Sequence, residues 1–484
     1  MKDILKGLQP EALFRNFESL ARIPRESGNE KEVSDFLVDF AKKNGLEVIQ
    51  DKSMNVIMKK PATKGYEKSK SIILQGHMDM VCIADEGYEI DFKKDPIPLV
   101  VDGDYIRTEG TTLGADNGIA VAMIMAIMES KDLQHPALTG LITVEEETGM
   151  GGVLALDPKD LSGDILINLD SEEEGIFLAS CAGGVNNIVK LLIQWENAKK
   201  ENVFHEISIK GLMGGHSGAE IDKKRASSLK LMGRLLKELE DKVGIDIASI
   251  SGGEKMNAIP KTAKAVISFD SGKAKEVQSI IKKYEDYFKN EFKTTDPGIK
   301  LSLKETKVEE NVFADKTKLS LIAILMLTPF SVQSMSADVE GLVVSSNNIG
   351  VLSMENDTLV FSNAVRSSIR SLKEELNARI EEICKLTGAT MELVSDYPEW
   401  EFKVESPIRD LMVKTYKEMF KTDAKVSAIH AGLECGFLKE KTGDIDMISM
   451  GPEMHDVHTP SEKLSISSSK RLYEFLCELL KRAK

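Results

Sequence analysis

A histidine and an aspartate two residues apart, His77 and Asp79, directly follow an apolar run at 71–75. The run predicts a buried strand that ends at Gly76. Residues i and i+2 of an extended segment point the same way, and ligands of open α/β sheets gather outside the carboxyl ends of the strands. We therefore expect an imidazole, with a carboxylate able to orient it, at a sheet edge. Taken alone, a histidine after a strand is more often structural than a ligand.

Carboxylates follow two further predicted strands and precede one predicted helix. Three consecutive glutamates at 145–147 follow the apolar run 141–144, and Asp170 follows the run 165–169. Asp116 precedes a long apolar segment that is expected to be helical. Each has an ordinary explanation, because Asp is a favoured N-cap residue and an acidic run is usually a solvated surface. Their recurrence at predicted strand ends favours one shared site.

Two more histidines, His455 and His458, follow a further strand-like segment at 444–450. A set of imidazoles and carboxylates, without thiolates, is typical of a hydrolytic site for zinc, or for manganese or cobalt. A carboxylate shared by two ions makes a co-catalytic pair, which polarises a carbonyl and lowers the pKa of a water molecule. A free carboxylate beside the ligands can take the proton of that water and pass it to a leaving amine.

The pattern of the chain changes near residue 186. We expect an inserted α+β domain at 187–395, while 1–186 and 396–484 together form a discontinuous α/β domain with a mixed, mainly parallel sheet flanked by helices. The insert combines alternating strand-like segments with amphipathic helices, predicted near 224–241, 274–290, 315–328 and 371–386.

Two histidine motifs lie outside the carboxylate cluster. The sequence GGHSG, with His216 at its centre, is typical of a flexible loop that presents one imidazole, although a tight turn with an exposed histidine explains it equally well. The sequence HAGLECG at 430–436 follows a strand-like segment and could begin a helix whose amides attract an anion.

Composition excludes several classes of protein. A chain of 484 residues is too long for one core, so we expect two or three domains. The net charge of −15 argues against a nucleic-acid partner and against binding to anionic membranes. Five scattered cysteines without a CxxC pair argue against disulfides and thiolate zinc sites. Without a signal-peptide core or a long apolar run, we expect a cytoplasmic protein.

Taken together, the motifs resemble the dizinc exopeptidases, a family that includes aminoacylases, glutamate carboxypeptidase and carnosinases. The similarity extends almost from end to end. The motifs that carry it are GHMDMV at 76–81, TLGADNGI at 112–119, EETGM at 146–150, NLDSEEEG at 168–175, GGHSG at 214–218, HAGLECG at 430–436 and HTPSE at 458–462. The resemblance implies that the α/β domain is a metallopeptidase catalytic domain and that the insert is its lid.

The resemblance also implies a site for two divalent metal ions, most simply zinc, with cobalt or manganese as alternatives. Its ligands would be His77 and Asp170 for the first ion, Glu147 and His458 for the second, and Asp116 bridging both. His458 is preferred to His455 because the family's ligand motif is His followed by Thr or Ser and Pro.

The resemblance implies that Asp79 orients His77 and that Glu146 is the general base. Both are counted as catalytic residues. The family pattern has two adjacent glutamates before x-Gly, whereas this chain has a third at 145. An alternative assignment therefore shifts the roles of general base and metal ligand by one residue.

In the lid, His216 would polarise the scissile carbonyl or stabilise the oxyanion. Arg366 would pair with the free carboxylate of the substrate, a task suited to guanidinium, and Asn257 and Gly432 would contact the same carboxylate. Each of these residues also has a structural explanation.

The activity implied is hydrolysis of unblocked dipeptides of broad sequence, including Xaa-His. The alternatives are an N-acyl amino-acid deacylase or a carboxypeptidase at the same site, or a metal- or peptide-binding module without turnover. Small peptides are the expected partners, and a homodimer is possible because many members of the family dimerise through the lid.

Overall fold

The computed structural model describes residues 3–484. Within them, the α-helices are α1 (Glu11–Ala21), α2 (Lys31–Lys43), α3 (Ala115–Glu129), α4 (Gly151–Ala155), α5 (Ser228–Val243), α6 (Ala274–Glu291), α7 (Asp315–Leu327), α8 (Arg370–Thr387), α9 (Pro407–Phe420), α10 (Glu434–Thr442) and α11 (Ile466–Arg482). None of the helices in this part of the chain is long and apolar enough to cross a membrane.

The strands of the same residues are β1 (Glu47–Gln50), β2 (Val56–Lys60), β3 (Ile72–His77), β4 (Val100–Asp102), β5 (Tyr105–Arg107), β6 (Leu138–Thr143), β7 (Ile165–Asn168), β8 (Ile176–Cys181), β9 (Gly183–Leu192), β10 (Trp195–Asn197), β11 (Asn202–Lys210), β12 (Asp246–Gly252), β13 (Ala263–Asp270), β14 (Lys300–Glu305), β15 (Asn311–Phe313), β16 (Ser331–Met335), β17 (Val343–Glu355), β18 (Thr358–Ser367), β19 (Thr390–Tyr397), β20 (Lys425–Ile429), β21 (Asp446–Ser449), β22 (Met454–His455) and β23 (Lys463–Ser465).

The chain forms two compact units. Among the described residues, the first comprises 3–180, 402–428 and 433–484, and the second comprises 181–401 together with the short segment 429–432. The predicted boundaries lie at 186/187 and 395/396, and the prediction left the short segment 429–432 with the α/β domain.

The first unit is built on an eight-stranded sheet in the order β1-β2-β6-β3-β7-β21-β8-β20. The predicted mixed sheet is confirmed, and its parallel part consists of the central strands β6, β3, β7 and β21. These strands are buried along their whole length except at one end of β21, as expected for parallel strands covered on both faces. Helix α3 is apolar on all sides and almost entirely buried, so it packs within the core of this unit.

The predicted end of the opening strand is wrong. Strand β3 continues through Gly76 to His77 and pairs in register with β6 up to Thr143. A Cβ at Gly76 would lie 2.5 Å from Oδ1 of Asn117 and 2.8 Å from the Cβ of Ala120. The glycine is needed because α3 crosses closely over the strand, and not because the strand stops there.

The second unit contains an antiparallel sheet in the order β14-β11-β13-β12-β17-β18-β9-β19, with β16 added beside β17. Helices α5, α6 and α8 are amphipathic and bury their apolar faces with the sheet in one core. Helix α7 packs in the same core but is not amphipathic as predicted, because it also carries exposed apolar side chains such as Leu319 and Leu327. All four were predicted in their places, with ends that differ by a few residues. The predicted combination of an α/β domain with an inserted α+β domain is confirmed.

Candidate metal centre

Three neighbouring parallel strands of the first unit carry predicted ligand residues at their carboxyl ends. Strand β3 ends on His77, β6 is followed by Glu146 and Glu147, and β7 is followed by Asp170. Because β6, β3 and β7 lie side by side in the same direction, these ends share one edge of the sheet. Asp116 reaches the same place from the first turn of α3.

The two oxygens of Asp116 face two different groups of donors. Oδ1 lies 3.1 Å from Nε2 of His77, which is 3.4 Å from Oδ1 of Asp170. Oδ2 lies 3.0 Å from Nε2 of His458, which is 3.0 Å from a carboxylate oxygen of Glu147. Within each triad the donor atoms lie within 4.8 Å of one another. The five predicted ligands thus come together as two triads that share Asp116.

The charges of the cluster favour cations. Hydrogen bonds to Asp116 and Glu147 raise the pKa of His458 to about 11. Burial opposes a charge on His77, yet Asp170 and Asp116 raise its pKa well above the usual value. Burial raises the pKa of Asp170 to about 6, with further help from the neighbouring carboxylates. Both imidazoles are held in their charged form because carboxylates outnumber imidazoles at this edge of the sheet. A donor set of imidazoles and carboxylates fits two divalent ions of the zinc, cobalt or manganese type.

Asp79 is fully buried and fixes both the imidazole and the glutamate turn. Its Oδ1 lies 3.3 Å from Nδ1 of His77, so that the lone pair of Nε2 faces the other ligands. The carboxylate also accepts from the backbone N–H groups of Glu146 and Glu147, at 3.1 and 3.2 Å, and from the Ser27 hydroxyl at 2.7 Å. One side chain therefore sets the orientation of three residues of the site.

Glu146 lies beside the triads, partly buried. Burial raises its pKa well above the usual value, and the nearby carboxylates of Asp170, Glu434 and Glu147 add to the effect. Such a carboxylate is basic enough to accept a proton from water. Its donor atoms also lie within 4.8 Å of His77 and Glu147, so geometry allows it to be a base or a ligand.

In the second unit, His216 is held as a hydrogen-bond donor. Its Nδ1 accepts from the backbone N–H groups of Gly218 and Ala219, at 3.2 and 3.1 Å, which leaves the proton of a neutral ring on Nε2. Burial lowers the pKa of His216, and the positive charge of Arg366 lowers it further. At neutral pH this imidazole is therefore uncharged and able to donate from Nε2.

Arg366 lies in β18, near the histidine of the HAGLECG motif, for which the sequence indicated no role of its own. Nη1 of Arg366 donates to the Tyr397 hydroxyl at 2.7 Å, and none of the described residues accepts from its Nε. Ser346, the cross-strand partner of Arg366, is hydrogen-bonded at 2.7 Å to Nε2 of the buried His430. The HAGLECG motif contained the signal for His430, since a histidine opens it.

Asn257 and Gly432 are both in the second unit but are less closely connected to Arg366. The side chain of Asn257 is exposed, and its backbone oxygen accepts from the N–H of Ser217 at 2.9 Å. Gly432 lies in the segment 429–432, two residues beyond His430. Within residues 3–484, neither Asn257 nor Gly432 is hydrogen-bonded to Arg366.

A buried polar layer that sequence reasoning missed lies beneath the ligands. The fully buried Glu434 accepts from Gln75 at 2.6 Å and from Thr143 at 2.8 Å, and Gln75 in turn accepts from Asn168 at 2.6 Å. Burial raises the pKa of Glu434 to about 7. Gln75 and Asn168 stand two positions before His77 and Asp170, so strand alternation could have indicated them.

Comparison with known proteins identifies the family. Residues 207–296 match the model of the M20 peptidase dimerisation domain. The cytosol non-specific dipeptidase of Escherichia coli strain K12 is 35% identical over 477 residues, which cover 99% of this chain and 98% of that protein.

Solved structures agree with the sequence match. The aminoacylhistidine dipeptidase of Vibrio alginolyticus has a TM-score of 0.95 at 33% identity, covering 99% of this chain and 97% of the other. Aminopeptidase PepT of Bacillus cereus shares the fold, with a TM-score of 0.57 at 16% identity over 98% and 99% of the two chains. The family resemblance seen in the motifs is confirmed, and the chain belongs to the M20 family of metallopeptidases, in the group that contains the cytosol non-specific and aminoacylhistidine dipeptidases.

Proposed function

We propose that this protein is a metallodipeptidase that hydrolyses unblocked dipeptides of broad sequence, including Xaa-His. The observation that carries the proposal is the placement of Asp116, whose two oxygens face two separate triads of donors. The activities named for the relatives from Escherichia coli and Vibrio alginolyticus support the substrate class.

We assign His77 and Asp170 to one ion, Glu147 and His458 to the other, and Asp116 to both, with zinc as the metal proposed. Bound there, the ions would supply Lewis-acid polarisation of the scissile carbonyl and would acidify the attacking water. Asp79 holds the tautomer of His77 that keeps Nε2 free to bind a metal.

The proton transfers are assigned to Glu146. Its carboxylate takes the proton of the attacking water and passes it to the nitrogen of the leaving amine, which departs as the free amino acid. The position of Glu146 supports this role, because its carboxylate lies beside His77 and Glu147 and belongs to neither of the two triads that share Asp116.

The second unit is proposed to bind and polarise the substrate. The Nε2–H of neutral His216 donates to the oxyanion that develops on the scissile carbonyl. Arg366 pairs with the free carboxylate of the dipeptide, and Asn257 and Gly432 contribute to the same pocket. The dimerisation-domain match at 207–296 supports a homodimer, and the name of the Escherichia coli relative supports a cytoplasmic location.

A substrate panel tests the proposal. Metal-free protein reconstituted with zinc, cobalt or manganese is incubated with Ala-His, with Gly-Gly and with N-acetylated amino acids. Release of free amino acids from the two dipeptides is the expected result. Cleavage of the acetylated compounds alone would replace the dipeptidase by a deacylase, and absence of hydrolysis with every metal would contradict an enzyme of this type.

A further inference from the structure

Two buried charged residues hold the loop that carries Asp116, and neither has a role in the proposed chemistry. Glu462 and Arg25 are each 2% exposed. One comes from the turn that follows His458 and the other from the segment after α1, so they reach the loop from parts of the chain far apart in sequence.

Glu462 binds the loop through its backbone amides. One carboxylate oxygen accepts from the N–H groups of Leu113 and Gly114, at 2.7 and 3.0 Å, and the other accepts from those of Ala115 and Asp116, at 2.8 and 3.3 Å. Four charge-assisted hydrogen bonds to consecutive amides leave the loop little freedom. A negative charge at the start of α3 is also favoured by the helix dipole.

Arg25 binds the same loop through a carbonyl oxygen. Its Nη2 donates to the carbonyl of Gly114, while Nη1 donates to the carbonyl of Met78 at 3.0 Å and more weakly to that of Asp79 at 3.3 Å. The guanidinium therefore joins the strand end that carries His77 to the loop that carries Asp116. A Cβ at Gly118 would lie 2.7 Å from Nη2, so the glycine there leaves the space that the guanidinium occupies.

The turn that carries Glu462 also fixes His458. The N–H of Glu462 donates to the carbonyl of Thr459 at 3.1 Å, and the Thr459 hydroxyl donates to the carbonyl of Asp456 at 2.7 Å. His458 lies inside the turn that the Thr459–Asp456 bond closes, with a positive φ of 60°. A shift of Glu462 relative to the turn would therefore move the imidazole as well as Asp116.

We propose that Glu462 and Arg25 are positioning residues that set the distances between His77, Asp116 and His458, and thereby the affinity of this site for its metal ions. The proposal rests on the metal centre of the proposed function. Glu462 joins the Asp116 loop to the His458 turn, and Arg25 joins the same loop to the end of β3. Both act through the backbone and touch no substrate.

Metal titration of Glu462→Gln tests the proposal. The amide of glutamine offers one acceptor oxygen and places an NH2 group against backbone donors, so about half of the four bonds are lost. We expect the affinity of the metal-free protein for Zn²⁺ alone, measured by calorimetry and by metal analysis after dialysis, to fall about 10- to 100-fold. At saturating metal, kcat should fall more than KM changes, and Glu462→Asp should recover part of the affinity.

Lys60→Met is the matched control, because Lys60 holds the other end of the same helix. Its Nζ donates to the carbonyls of Ile127 and Ser130, at 2.9 and 2.5 Å, far along α3 from the metal centre. We expect this variant to lower the melting temperature and to leave the zinc affinity within twofold of wild type.

The outcomes separate the two levels of the proposal. Wild-type protein that binds no zinc contradicts the proposed metal centre itself. Wild-type protein that binds zinc, with Glu462→Gln within twofold of it, overturns the positioning role even if the variant melts earlier. Should Glu462→Gln fail to fold, Arg25→Lys decides, since an ammonium cannot span the carbonyls of Met78 and Gly114: a lower zinc affinity supports the proposal, and an unchanged one overturns it.

Discussion

At the scale of single residues, chemically similar carboxylates differ by what surrounds them. Asp79 is surrounded by donors and serves as an acceptor for His77 and the glutamate turn. Asp116 faces two imidazoles, whereas the pKa of Glu146 is raised by burial and, to a smaller extent, by neighbouring carboxylates. The differences in environment are what suit one carboxylate to orienting, one to bridging and one to accepting protons.

We predict that Glu146→Gln binds both metals but loses turnover by about 10²- to 10⁴-fold, since the amide cannot accept the proton of water. Asp116→Ala should instead lose both metals, because both triads share that carboxylate. Metal analysis and dipeptide assays on the purified variants check both statements.

Glu145→Gln is the control for the Glu146 prediction. Glu145 is exposed and precedes the pair, so its loss should leave both metal content and rate close to wild type. A large loss of rate in Glu145→Gln, with Glu146→Gln unaffected, would show that the roles are shifted by one residue.

At the scale of elements, the site depends on the fit between α3 and the strands beneath it. The helix is apolar on all sides, and glycines on two strands allow it to approach. Gly76 on β3 faces Asn117 and Ala120, and Gly140 on β6 faces the Cγ2 methyl group of Ile124 and the flexible end of Met128. The first contact is with short side chains near the start of the helix, so it directly determines where Asp116 stands.

We predict that Gly76→Ala lowers the free energy of unfolding by about 1–3 kcal/mol, as overpacking in a core does. It should also weaken zinc binding, because the added methyl group pushes the start of α3 away from β3. Denaturant unfolding and zinc titration measure the two effects.

Gly140→Ala serves as the comparison for Gly76→Ala. Its methyl group would meet Cγ2 of Ile124 at 2.8 Å and Cε of Met128 at 3.0 Å, about two turns along α3 from Asp116. Its cost in stability should be similar, while its zinc affinity should be normal because the contact lies far from Asp116. Equal zinc affinity in both variants would contradict the role given to the helix start.

At the scale of the whole molecule, the order of the chain does not follow the division into units. The segment 429–432 belongs to the second unit although the residues on both sides of it belong to the first. It brings His430 against Ser346, while the carbonyl of His430 approaches Gly218 so closely that a Cβ there would lie 2.6 Å away. Three distant stretches of sequence therefore meet at His430.

We predict that the second unit loses stability on acidification through His430. Burial and the charge of Arg366 lower the pKa of His430 to about 3, against about 6.5 in the unfolded chain, so the unfolded state binds the extra proton between these values. The stabilisation is complete above pH 6.5 and is lost as the pH falls toward 3. By pH 5 the loss should reach about 2 kcal/mol.

Tryptophan fluorescence measures this effect, because both tryptophans, Trp195 and Trp400, lie in the second unit. The unfolding free energy of metal-free wild type should fall between pH 7 and pH 5 by about 2 kcal/mol more than that of His430→Gln. Parallel pH profiles of the two proteins would show that His430 does not titrate in this way.

The sequence by itself determined the donor types, their places at strand ends and helix starts, and the division into an α/β part and an α+β insert. These features can be predicted locally, because the periodicity of apolar residues and the residues that favour turns depend only on short stretches of sequence. The complete motifs also indicated the family, and with it the assignment of ligands and base that mutagenesis is to test.

Only the tertiary structure decided which atoms face one another. In the structure the two oxygens of Asp116 face different triads, and strand β3 continues beyond Gly76 to His77. Glu462 and Arg25 bind the same loop. Contacts of this kind join residues tens to hundreds of positions apart, and they arise from how a helix and several strands pack. Packing depends on the shapes of all the elements together, and no local pattern in the chain contains that information.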